Sequence, residues 1–220
     1  MVRAVLLDVD GTLIDSNDAH ARAWVDVGDE FGYEIEFGQV RWLVGMGGDR
    51  VLPQLTGLEE DSGKGREVLD RRGEIFRERY LPRLCAFDGT HELLERMRAD
   101  GLTLVVATSA GEEDLKALLK QVHLDHLIDE ATNSDEVESS KPAPDIVLAA
   151  LEKSGAAAAD AVMLGDTPYD VKAARRAGVR IIGVRCGGWN DMELIGAAEI
   201  YENPADLLLR YDRSLLSRPH

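Results

Sequence analysis

Four short apolar runs, each leading into a polar cluster, constrain the fold of this chain more than any other feature. Residues 4–7 (Ala4-Val5-Leu6-Leu7) run without interruption into Asp8 and Gly11, and comparable runs recur at residues 102–107, 161–164 and 179–184. A run of this kind, with no alternation, suits a strand buried on both faces, the position strands occupy in a parallel sheet covered by helices. Between and after the runs lie segments of helical period, at 91–99, 112–122, 144–153 and 169–177. Strand and helix in alternation predict an α/β, doubly wound parallel sheet of Rossmann-like form.

Residues 16–81 break the alternation. They are rich in helical pattern, amphipathic at 19–28 and 65–80, and hold no buried-strand run. This predicts a small helical cap domain inserted after the first strand, with the α/β core made of residues 1–15 and 82–220. The break at Leu81-Pro82 and the Asp88-Gly89-Thr90 turn mark the return to the core, because Pro and Gly punctuate elements. The 220 residues suffice for one full core and a smaller lobe, since domains usually run to about 100–150 residues. The alanines at 156–159 read as a loop or a frayed helix end.

Apolar residues make up 45% and charged residues 30%, the balance of a folded globular chain. The 41 acidic residues outnumber the 25 basic ones for a formal charge of -16, a field that repels nucleic acid and anionic membrane. No apolar run approaches the roughly 18 residues of a membrane span. Cys85 and Cys186 are too few for a disulfide framework, and the stretch after Met1 lacks a signal-peptide pattern. The expectation is a reduced, cytoplasmic protein, monomeric, with no nucleic-acid or membrane partner. The same negative field also opposes a phosphate substrate, so phosphate chemistry here requires local cations or a bound metal.

In open parallel sheets, ligands bind outside the carboxyl ends of the strands. The polar groups there form a coherent set: Asp8-Val9-Asp10-Gly11-Thr12 after the first run, Thr108-Ser109 after the second, Gly165-Asp166-Thr167-Pro168-Tyr169-Asp170 after the third, and Lys141-Pro142 ahead of the helix at 144. Asp8 and Asp10, two apart at a strand end, point to one side, and Gly11 lets the chain turn. A carboxylate is ionised at neutral pH and attacks phosphorus without a general base, which makes Asp8 the candidate nucleophile. A second carboxyl with a raised pKa can protonate the leaving oxygen and later activate water, a role that falls to Asp10. Two anions beside a phosphate need a divalent cation, and oxygen-only ligands favour Mg2+. Asp166 is the best further ligand, and Asp170 ranks second, either binding through water or orienting Asp166 and Lys141. The Thr108 hydroxyl, nearby amides and the Lys141 ammonium can hold the equatorial oxygens. The expected partner is a small phosphorylated metabolite.

These four motifs together resemble the haloacid dehalogenase superfamily, and the helical insertion looks like the cap of its phosphoglycolate phosphatase and β-phosphoglucomutase branch. The resemblance implies Asp8 as nucleophile, Asp10 as acid/base, Thr108 and Lys141 as phosphate binders, and Asp8, Asp166 and the Asp10 carbonyl as metal ligands. The dehalogenases lack an acid/base Asp two residues after the nucleophile, which disfavours that chemistry. His20-Ala21-Arg22-Ala23-Trp24 resembles the start of mutase caps, but Gly165-Asp166 is closer to the phosphatases than to the mutase Glu-Asp pair. A magnesium-dependent phosphatase is the first reading, a phosphosugar mutase the second, and a ligand-binding protein without turnover the third.

Several residues keep two readings. Gly45-Met46-Gly47-Gly48-Asp49-Arg50 is either a tight interhelical turn or a substrate loop, in which Gly47 would approach the ligand and Arg50 would hold its distal group. Asp170 is a helix cap or a metal ligand. Ser109 binds phosphate, or acts only through its amide while its hydroxyl caps the helix near Glu112. His20 reads as a packed or hinge residue rather than a catalyst. The two chain crossings, at 14–17 and 81–84, are the expected hinges of a lid.

Overall fold

The computed structural model describes residues 1–217. Strand β1 (Ala4–Leu7) is followed by helices α1 (Asn17–Phe31), α2 (Phe37–Arg41), α3 (Gly48–Thr56) and α4 (Gly63–Ile75), the last continuing as a π-helical turn over Phe76–Tyr80. Then come α5 (Thr90–Ala99), β2 (Thr103–Ala107), α6 (Glu112–Gln121), β3 (Glu130–Thr132), α7 (Asp145–Ser154), β4 (Ala161–Gly165), α8 (Pro168–Arg176), β5 (Arg180–Val184), β6 (Glu199–Tyr201) and α9 (Pro204–Leu209). The six strands form one parallel sheet in the order β3-β2-β1-β4-β5-β6. The expected strands are β1, β2, β4 and β5. The three-residue strands β3 and β6 add the two edges.

The side-chain alternation of β1 explains the layers. Val5 and Leu7 pack with Leu93, Leu94 and Met97 of α5 and Leu115 and Leu118 of α6, whereas Ala4 and Leu6 pack with Ile146, Val147 and Ala150 of α7 and Val171 and Ala174 of α8. Both faces are thus covered, which is why the strand sequence is uniformly apolar rather than alternating. Strand order reverses where β1 lies between β2 and β4, and the crevice at such a switch point is where open α/β sheets place their ligands. The register puts Leu7 beside both Val106 and Leu164. The Asp8 amide then donates to the Leu164 carbonyl at 2.9 Å, bringing the first residue after β1 level with the end of β4.

The segment between β1 and α5 is helical. Trp24 and Val27 of α1 pack with Val68 and Ile75 of α4 and with Phe76. Its two crossings run side by side: the Asp15 amide donates to the Cys85 carbonyl at 3.1 Å and the Phe87 amide to the Leu13 carbonyl at 3.0 Å. The alanines at 156–159 lie beyond the C-terminal Gly155 of α7 and form a loop with one 3-10 turn. No described helix is long and apolar enough to cross a membrane.

Candidate active site

The chain turns sharply after β1 because Gly11 adopts φ 79°, in the left-handed region. A Cβ at Gly11 would stand 2.1 Å from Asn17 Nδ2 and 2.3 Å from Asp166 Oδ2, so the position also needs the space that glycine leaves. This turn brings the ends of β1 and β4 and the Lys141 loop together. The Lys141 side chain is fully buried and its Nζ lies 2.6 Å from Asp8 Oδ1 and 2.7 Å from Asp170 Oδ1. Thr12 Oγ1 lies 2.7 Å from Asp8 Oδ2 and 3.2 Å from Asp166 Oδ1, within hydrogen-bond reach of both carboxylates. Asn17 donates from Nδ2 to Asp166 Oδ2 at 3.0 Å and to the Gly187 carbonyl at 3.1 Å.

Asp170 takes the capping role, the first of the two left open for it. With Thr167 it forms a capping box at the start of α8, where Pro168 occupies the first turn. Its other oxygen faces Lys141.

The electrostatics follow from burial. Desolvation, aided by the charge of Asp170 and opposed by Lys141, pushes the Asp8 carboxyl up to about 7. Desolvation, with the charges of Asp8 and Asp170, raises Asp166 well above the ordinary carboxylate range. Burial alone would lower the Lys141 ammonium, but Asp170 and Asp8 outweigh it and hold it above its usual value. Asp8, Asp166 and Asp170 each present an oxygen within 4.8 Å of the others, and all three are buried. With all three ionised, the group would set three negative charges against the one positive charge of Lys141, which, on top of burial, is why two of the carboxyls are pushed up. A divalent cation would neutralise the remainder, and an all-oxygen donor set suits Mg2+. The Asp10 side chain lies outside this group.

Asp10 is held differently. It accepts from Ser16 Oγ at 2.5 Å and contacts His20 Nε2 at 2.7 Å. The Arg72 guanidinium contacts His20 Nδ1. Because arginine can only donate, Nδ1 accepts and Nε2 carries the proton given to Asp10. Burial works to raise the Asp10 carboxyl, but His20, Ser16 and Arg72 outweigh it and hold it below its ordinary value, opposite to the raised value expected from the sequence, because the sequence did not show that His20 and Ser16 hydrogen-bond this carboxylate. His20 also stacks on Phe76, ring centroids 4.1 Å apart at 9°. It therefore packs, as expected, and in addition ties the helical segment to Asp10. Arg72 Nη1 lies 3.3 Å and Arg77 Nη1 2.7 Å from the carboxylate of Asp114 on α6.

The remaining expected residues are spread around the site. Thr108 is buried at the end of β2 and its Oγ1 accepts from the Ala110 amide at 3.1 Å. Ser109 Oγ accepts from the Lys141 amide at 3.4 Å. It does not cap α6, whose first amide, at Glu112, donates instead to Asp135 at 2.8 Å. The Gly47 amide donates to Ser140 Oγ at 3.1 Å, and Arg50 Nε donates to the Ser140 carbonyl at 3.2 Å. Asp8, Asp10, Thr108 and Ser109 open onto a cavity of about 700 Å3 between the core and the helical segment, and Arg50 and Gly47 are not part of its wall. Asn17, Arg72, Asp114 and Gly187 were not legible as site residues. A Cβ at Gly187 would lie 1.6 Å from Asp166 Oδ2, and only a contact 21 residues away in sequence reveals that need.

A parallel sheet whose first strand ends in two aspartates, backed by a buried lysine and a carboxylate trio, defines a class: residues 5–184 match the haloacid dehalogenase-like hydrolases, and the chain belongs to that family. A phosphoglycolate phosphatase of Aquifex aeolicus is 32% identical over 184 residues, covering 81% of this chain and 83% of its own length. A hydrolase from Pseudomonas syringae superposes with a TM-score of 0.89 at 31% identity, covering 96% of this chain and 98% of that one. CbbY from Rhodobacter sphaeroides, solved in complex with phosphate, superposes with a TM-score of 0.81 at 25% identity, covering 94% and 96%.

Proposed function

We propose that this enzyme is a magnesium-dependent phosphatase that hydrolyses a small organic phosphate monoester through a phosphorylated Asp8. The observation that carries the reading is the placement of Asp8 at the floor of the cavity, one oxygen held by Lys141 and the other facing Thr12. These contacts fix the carboxylate for attack on phosphorus. Asp10, two residues on, gives a proton to the departing ester oxygen and takes one from the water that later cleaves the aspartyl phosphate. His20, donating to Asp10 and accepting from Arg72, orients that carboxyl for both steps. Thr108 and Lys141 face the transferring oxygens, with Lys141 opposing their charge. Asp8, Asp166 and Asp170, directly or through water, with the Asp10 carbonyl, would hold Mg2+. When bound, it supplies neutralisation of the phosphoryl oxygens and of the excess carboxylate charge.

The relatives named for phosphoglycolate hydrolysis and for a phosphate complex support phosphate-ester chemistry here. A mutase must also hold a second phosphate, and Arg50, the candidate for that task, is engaged with Ser140. Release of inorganic phosphate from a generic aryl phosphate, measured with magnesium and with EDTA, tests the proposal. Release with magnesium and loss with EDTA are expected, and no release in either condition overturns it.

A further inference from the structure

The two oxygens of Asp166 are held differently. Oδ1 shares the Thr12 hydroxyl with the nucleophile, which lies 3.2 Å from Asp166 Oδ1 and 2.7 Å from Asp8 Oδ2. Oδ2 is enclosed by Asn17 and two glycines. It accepts from Asn17 Nδ2 at 3.0 Å, and a Cβ on Gly11 or on Gly187 would stand 2.3 Å or 1.6 Å from it. Two turns of bare backbone and one amide thus close around a single carboxylate oxygen.

Asn17 is itself fixed. It is the first residue of α1, 3% exposed, and Nδ2 donates a second time, to the Gly187 carbonyl at 3.1 Å. That carbonyl also accepts from Arg41 Nη2 at 3.0 Å, and Arg41 Nε is paired with Asp18 at 2.8 Å. Because an ionised carboxylate and a carbonyl only accept, the Asn17 atom between them is the nitrogen, and the amide has one orientation. Asn17 Oδ1 is the acceptor left over. It is buried, and among the described residues no donor reaches it. A buried polar atom left unpaired costs about 1–3 kcal/mol, so this oxygen calls for a donor from outside the chain, which a water on a bound cation supplies.

We propose that Asn17 is a positioning residue that sets the preference of the site for Mg2+ over Ca2+. The inference rests on the reading that Asp8, Asp166 and Asp170 hold the metal. With Oδ2 occupied, Asp166 offers the cation one oxygen. Mg2+ needs a near-ideal octahedron, whose right angles the narrow bite of a two-oxygen carboxylate does not meet, and it keeps several waters. Ca2+ takes more ligands in looser geometry and accepts both oxygens of a carboxylate. Asn17 serves the smaller ion twice, by closing the second oxygen of Asp166 and by offering Oδ1 to a water of its shell.

Calorimetric titration of EDTA-treated, desalted protein with Mg2+ and, separately, with Ca2+ reads the two affinities without turnover. Wild type should bind Mg2+ the more tightly. In Asn17→Ala, Mg2+ affinity should fall by about ten-fold or more, the loss usual for a residue that orients a metal ligand, while Ca2+ affinity holds or rises. Asn17→Asp keeps the shape but cannot donate to Asp166, and it should move the preference the same way. Alanine and aspartate both suit the first turn of a helix, and circular dichroism of the metal-free variants checks the fold. A merely structural Asn17 would weaken both metals alike. Equal losses for the two metals, an unchanged preference in the variants, or a wild type that prefers Ca2+ overturns this inference and leaves the phosphatase reading standing. A wild type that binds neither metal removes the magnesium site and this inference together.

Discussion

Lys141 offers the sharpest test of how the site is built, because its side chain is 0% exposed and it stands between two carboxylates at 2.6 and 2.7 Å. Lys141→Ala deletes the only ammonium among Asp8, Asp166 and Asp170 and leaves three buried carboxylates without it. Removing one partner of a buried pair costs about 3–5 kcal/mol, against about 0–1 kcal/mol for an exposed pair. For a chain of this size each kcal/mol lowers Tm by about 2–4 °C, so the expected loss is on the order of 10 °C. The measurement is thermal unfolding of wild type and variant without metal, at about pH 8 and about pH 5.5. The deficit should be larger at the higher pH. In the variant, the native carboxylates titrate above their unfolded values, so the native state holds protons that the unfolded chain has released, and its stability falls as pH rises. Asp170→Asn in the Lys141→Ala background should recover part of the loss, as one of the uncompensated charges is then gone. A Tm within about 2 °C of wild type at pH 8, or a deficit that grows toward acid pH, would refute the idea that Lys141 neutralises this cluster.

Four further outcomes are expected. Asp8→Asn should abolish phosphate release while leaving the circular dichroism spectrum unchanged, since the amide is nearly isosteric but a poor nucleophile; wild-type turnover would remove Asp8 from the chemistry. Asp166→Ala should raise the magnesium concentration needed for half-maximal activity at least several-fold, read from a metal titration, and an unchanged titration would assign the ligand elsewhere. In the wild type, Asp8, at about 7, and Asp166 both titrate above the ordinary carboxylate value, so EDTA-treated protein should lose stability as pH rises from about 4 to about 7, and magnesium should raise Tm more at the alkaline end; an equal gain at both ends would contradict the cluster's role. His20→Ala removes a group that holds the Asp10 carboxyl down, so the alkaline limb of the kcat/KM profile, where the proton Asp10 gives to the leaving oxygen is lost, should move to higher pH with a drop in kcat of about ten-fold or more; an unmoved limb would make His20 a packing residue alone.

What the sequence disclosed follows from the range over which each signal acts. The central strands β1, β2, β4 and β5 were legible because burial on both faces demands an uninterrupted apolar run. The edge strands β3 and β6, Glu-Ala-Thr and Glu-Ile-Tyr, carry no such run, since an edge is only half enclosed. The short α2, α3 and α9 were missed because five to nine residues span too few turns for a periodic pattern to declare itself. At the site, Asp8, Asp10, Asp166 and Asp170 stand in contiguous motifs at strand ends. Arg72 and Asp114, by contrast, meet across 42 residues of sequence, and nothing local to either marks the pair. His20 lay in plain view, but only the path of α1 away from the Gly11 turn shows that its ring reaches Asp10.

The adjacent crossings, 13–15 against 85–87, give the helical segment the shape of a cassette: it leaves and re-enters the sheet domain through neighbouring, hydrogen-bonded stretches of chain. Such a segment could in principle be exchanged for another without re-threading the sheet. Yet Ser16, Asn17 and His20 lie at its very start, and they supply the hydroxyl and imidazole on Asp10 and the amide on Asp166. A transplanted segment would therefore carry not only a new specificity wall but also part of the machinery that keeps the reacting carboxylates in place. The exchangeable unit begins after the first turn of α1, and a graft made upstream of it has to reproduce those three donors.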